Sequence, residues 1–123
     1  MEGSFLPHHA HQVVVAGKTE DSDEIWLVER HGDGYRVVSK AQLPGGRPIL
    51  IPASEGRRWA DVQAHIDGVA PPELKLAQGE RVALFVLLWR PTADDGWDGS
   101  LYAVVLDART GTIRLHYFLA LDA

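Results

Sequence analysis

Alternating apolar and polar positions divide the chain into short β-forming runs separated by turn residues. Residues 11–16 (HQVVVA), 25–30 (IWLVER) and 35–40 (YRVVSK) are rich in β-branched and aromatic side chains and predict three strands. His31-Gly32-Asp33-Gly34 joins the last two, and glycines in so short a link predict a hairpin. Residues 43–53 (LPGGRPILIPA) place Pro48 and Pro52 around Ile49-Leu50-Ile51, which allows a loop or a short edge strand.

The period then changes. Trp59, Val62 and Ile66 recur at spacings of three and four and predict one apolar helix face. Ser54 stands where an N-cap belongs, Glu55 favours the helix dipole, and Gly68 suits the C′ position. The helix is expected over about residues 55–67, and residues 73–77 as one further turn. Residues 81–90 contain VALFVLLW, apolar on both alternating sides, as in a central strand covered on both faces. Residues 91–99 read as a long loop, followed by strands at 101–107 and 112–121, with Gly111 at a left-handed turn position.

The expected fold is α+β. Residues 1–8 form a flexible tail, and residues 9–123 form a single domain. Its antiparallel sheet of five or six strands has the order β-β-β-α-β-β-β, with one main helix packed on one face. Alternation places Ile113, Leu115, Tyr117 and Leu119 on one side of the last strand and Arg114, His116 and Phe118 on the other. One helix is too small to cover both faces of such a sheet. The remainder calls for cover by loops, a second copy of the chain, a protein partner or a ligand.

Composition narrows the classes. With 123 residues, 46% hydrophobic and 24% charged, the chain fits one globular domain. A net charge of −5 gives no general attraction to polyphosphate, so no nucleic-acid partner is expected. The absence of cysteine removes disulfides, thiolate catalysis and thiolate-bound metals. The longest apolar run, residues 82–89, falls far short of the ~20 residues of a membrane helix. No signal-peptide pattern opens the chain, so the expected location is the cytoplasm.

Candidate chemistry is thin. His8, His9 and His11 form an imidazole cluster, but in the expected tail, and no metal or cofactor is implied. Glu20, Asp21, Asp23 and Glu24 form one acidic group and Asp94, Asp95 and Asp98 another; neither has the spacing of a calcium loop. Arg47, Arg57 and Arg58 gather around a Gly-Gly loop and a helix start, an arrangement suited to an anion. Arg114, His116 and Tyr102 are candidate liners of a small pocket on the sheet face. Trp97, within an aspartate-rich loop, has the character of an interface anchor, with Asp94, Asp95 and Asp98 around it. No serine sits in a G-x-S-x-G setting, and no catalytic residues are assigned.

Leu106-Asp107-Ala108-Arg109-Thr110-Gly111-Thr112-Ile113 resembles the D-A-x-T-G hairpin of PepSY-type domains and quinoprotein propeller repeats. The element order is similar to that of PAS-like and profilin-like sheets, and the helix followed by a meander to cystatin-like folds. These likenesses imply architecture and carry no function. The leading expectation is a non-catalytic binding or adaptor module working through a protein interface, with neutralisation of a basic partner as one version and self-association as a homodimer as another. The alternative is a small-molecule or enzymatic pocket around His116.

Overall fold

The computed structural model describes residues 2–3, 12–18 and 22–122. Its strands are β1 (Glu2–Gly3), β2 (Gln12–Lys18), β3 (Asp23–His31), β4 (Gly34–Gln42) and β5 (Arg47–Pro52). The helix α1 (Ala53–Asp67) follows, then β6 (Glu80–Pro91), β7 (Trp97–Asp107) and β8 (Thr112–Asp122). The strands form two antiparallel sheets rather than the expected single one. The first is β2-β3-β4, with the two-residue β1 added at its edge, and the second is β5-β6-β7-β8.

This division corrects the sequence reading of a single sheet, and the reason is burial. Leu84, Val86 and Leu88 of β6 point one way, into a core shared with Val14, Ile25 and Leu27 of the first sheet. Phe85 and Leu87 point the other way, toward α1, in a second core with Ala60, Leu101 and Phe118. The second sheet is thus covered on one face by the first sheet and on the other by the helix, which is why β6 reads as apolar throughout. A hydrogen bond from the Ile113 N–H to Ser39 Oγ (3.0 Å) links β8 to β4 where the two sheets meet.

Several local expectations change as well. Residues 47–52 are an edge strand, one of the two readings their prolines allowed. The helix starts earlier than predicted, with Pro52 at the N-cap position and no side-chain capping bond, so Ser54 lies inside its first turn. Gly68 does close it, at φ 69°. Residues 73–77 form no helical turn. A bulge between Leu101 and Tyr102 on the β7–β8 ladder shifts the register at Phe118. Phe118, Leu119 and Leu121 therefore all pack on the helix side, and Leu119 leaves the side predicted for it.

The largest change concerns the helix face. Gly56, Ala60 and Ala64 are the buried positions of α1. Trp59, Val62 and Ile66, the predicted inner stripe, are 37%, 55% and 70% exposed. A small-residue stripe lets the helix lie close to the sheet. A Cβ on Gly56 would clash with the Phe85 ring, which occupies the space a side chain would need. Phe85 in turn meets Phe118 edge-on, with centroids 5.1 Å apart.

Gly56→Val is therefore expected to lower stability by about 1–3 kcal/mol through overpacking. Phe85→Ala should cost about 3–5 kcal/mol through the cavity left under the helix. Urea unfolding of the two variants measures both; a near-neutral Gly56→Val would contradict the close helix–sheet approach.

Candidate functional site

The helix covers only part of its side of the second sheet. Beyond it, near the Trp97 end of β7, the face is closed by an indole instead. Trp97 and Gly99 point to the same side of β7, and Trp97 lies over Gly99: a Cβ there would meet the Trp97 ring at 2.9 Å and Leu87 Cδ1 at 3.0 Å. The missing side chain at position 99 is what lets the ring approach the sheet this closely.

Between Trp97 and α1 runs an apolar groove. One part, about 380 Å³, lies between Trp97 and the helix residues Arg58, Trp59, Val62 and Gln63, over Leu87 and Leu121. A second part, about 300 Å³, shares Leu87 and Trp97 and extends to Trp89 and Ile49 on the edge strand β5. The groove thus brings together Trp59, Trp89 and Trp97, three of the four tryptophans in the chain. Among the described residues, no hydrogen bond is made by the indole N–H of Trp59 or Trp97, so both rings keep a free polar edge. The exposed helix stripe of Val62 and Ile66 continues the apolar surface outward.

The charged side chain among the residues lining the groove is basic. Arg58 lines it, and Arg47 stacks its guanidinium on Trp89 at 5.3 Å. Neither has a carboxylate partner among the described residues. No Asp or Glu lines either part of the groove.

The other predicted residues fall in different places. Arg57 leaves the helix toward β8 and stacks on Phe118 at 5.2 Å, so Arg47, Arg57 and Arg58 do not converge on the helix start. Asp98 points to the opposite side of β7 from Trp97 and is held by Arg90 at 3.2 Å, while Arg90 also donates to the Gly45 carbonyl. Asp94 accepts a hydrogen bond from the Thr92 hydroxyl inside the 92–96 connection, and Asp95 sits exposed at φ 63°. The Thr92 hydroxyl, with backbone N–H donors, holds the Asp94 carboxyl below its ordinary range.

Arg114 and His116 are exposed on the helix side of β8, whereas Tyr102 packs on the inter-sheet side against Tyr117. The three do not share a pocket. Arg114 instead clasps Glu80 with two bonds of 3.0 and 3.2 Å. His8, His9 and His11 lie outside the described residues, as do Glu20 and Asp21. Among the described residues, no group of three His, Asp or Glu side chains is placed to hold a metal ion, and no helix is long and apolar enough to cross a membrane.

A second apolar surface lies on the outer face of the first sheet, where Val13, Val15, Trp26, Val28 and Tyr35 line a shallow depression. Its tryptophan is already engaged. Trp26 lies over Gly17, carries Lys40 at 5.4 Å from its ring centre, and donates its N–H to Glu24 at 3.0 Å. The groove beside α1 is the better candidate, because its Trp59 and Trp97 indoles have no hydrogen-bond partner among the described residues.

Comparison with protein-family models, with curated proteins and with solved structures finds no match. The chemistry of the site therefore rests on its own geometry. The sequence did point to Trp97. It missed Trp59, Val62 and Ile66 as surface residues, because spacing alone cannot tell an inward stripe from an outward one. The Gly56-Ala60-Ala64 repeat was the available signal.

Two outcomes follow from these contacts. Gly99→Val is expected to lift Trp97 off the sheet, seen as a red shift and quenching of tryptophan emission with the fold retained; unchanged emission would contradict the placement. The Arg114 hydrogen bonds hold the Glu80 carboxyl below its ordinary range, and the Arg109 backbone N–H does the same for Asp107. Stability from both is complete above the ordinary carboxylate range and is lost as pH falls through the lowered folded values. Arg114→Gln should flatten that acid limb of the stability–pH curve, and an unaltered limb would show that the pair contributes nothing.

Proposed function

We propose that the protein is a small non-catalytic binding module of the cytoplasm that holds a protein partner in the groove between α1 and Trp97. The observation that carries this reading is the pair of exposed indoles, Trp59 and Trp97, at 37% and 36%, set around a floor of Leu87 and Leu121. Tryptophan at the centre of an apolar, partly enclosed patch is the usual composition of an interface hot spot, since a large rigid ring buries much area at little entropic cost. The exposed Val62 and Ile66 on the same helix face enlarge the patch beyond what a small ligand needs. This favours a macromolecular partner, which includes a second copy of the chain. The pocket reading around His116 finds less support, because Tyr102 lies across the sheet from Arg114 and His116.

Native mass spectrometry of the protein isolated gently from its source tests this. A stoichiometric protein partner or second copy is expected, and Trp97→Ala or Trp59→Ala should weaken its retention by about 2 kcal/mol or more. A partner retained equally by both variants, or a small molecule in its place, would contradict the reading.

A further inference from the structure

The walls of the groove carry information about what it receives. Arg58 lines it and Arg47 lies on Trp89, which also lines it. Neither arginine has a carboxylate partner among the described residues, whereas Arg90 of β6 holds Asp98, Arg109 of the β7–β8 turn holds Asp107 and Arg114 of β8 holds Glu80. A guanidinium stacked on an indole keeps its N–H edge free and preoriented for a carboxylate. The aspartates near the loop do not offset this at the groove itself. None of them lines it, and Asp98 is neutralised on the far side of β7.

The edge beside the groove limits how an occupant binds. Pro48 and Pro52 of β5 have the same parity, so their nitrogens point to the same side of the strand. A proline nitrogen cannot donate to the ladder with β6, so both face outward. The outer edge of this stretch then offers an N–H only at Leu50, too little for a partner strand to pair with. An occupant must bind through side chains. The exposed stripe of α1 beside the groove suits a second helix lying along it.

Resting on the groove as the binding site, we infer that its occupant is an acidic amphipathic helix of a partner protein. Apolar side chains of that helix enter between Trp59 and Trp97, and its flanking carboxylates pair with Arg58 and Arg47. Asp94, Asp95 and Asp98, which adjoin Trp97 in the sequence, do not line the groove and so do not call for a basic occupant there.

Fluorescence anisotropy with labelled designed peptides tests this on the full chain. Peptides of ~18 residues, long enough to hold a helix, would share one leucine stripe and carry either glutamate or lysine on the rim. The glutamate peptide should bind at least about tenfold tighter at low salt. That preference should vanish in the Arg47→Gln/Arg58→Gln variant and shrink as salt rises. A lysine peptide that binds as tightly or more tightly, with binding lost in Trp97→Ala, would overturn the acidic occupant and keep the groove. If Trp97→Ala and Trp59→Ala leave binding of every peptide unchanged, the groove itself fails as the site.

Discussion

The structure depends on the double burial of the second sheet. Strand β6 places Leu84, Val86 and Leu88 against the first sheet and Phe85 and Leu87 against the helix side. The first sheet, through β2, β3 and β4, serves one of these two faces and α1 the other. The first sheet is needed because one helix cannot shield two faces. The helix can approach the remaining face only because Gly56, Ala60 and Ala64 present almost no side chain to it. Burial of apolar area on both sides is the main force available, since the chain has no cysteine with which to staple the fold.

The choice of a small stripe for the helix contact has a consequence for the surface. A helix that packs through Gly and Ala turns its large side chains outward. Trp59, Val62 and Ile66 are therefore exposed as a result of how the core is built, and Trp97, lying on Gly99, faces them across the groove. A monomer gains nothing by leaving such residues in water; an interface gains from having them there. The same packing that stabilises the domain thus creates the surface proposed to bind a partner.

Much of the architecture was legible in the sequence. The hairpin around Gly32, the left-handed Gly68 and Gly111, and the doubly covered β6 all follow from local chemistry that tertiary contacts did not override. The count of sheets was not legible. Strand pairing is set by long-range packing, and the short Leu43-Pro44-Gly45-Gly46 link between β4 and β5 reads equally as a turn within one sheet or a passage to another. The Phe118 bulge was also hidden, because one extra residue inverts all later faces without altering the pattern of residue types. On the helix, hydrophobicity favours the larger residues as the inner stripe. Steric access to Phe85 decided the matter the other way. At the groove, Trp97 stands out in the sequence because its neighbours are turn formers, although the structure places it in β7 rather than in the 91–99 loop expected there; the side of α1 from which Arg58 leaves was not legible.

The orientation of α1 decides both the core and the groove. Hydroxyl-radical footprinting of the dilute protein, read residue by residue by mass spectrometry, measures it. Trp59, Val62 and Ile66 should be modified at the rates of solvent-exposed side chains, and Phe85 and Leu101 should be protected. Protection of Trp59 and Ile66 under conditions where the protein is monomeric would mean that the helix packs through its large stripe, and both the double-burial arrangement and the groove would fall with it.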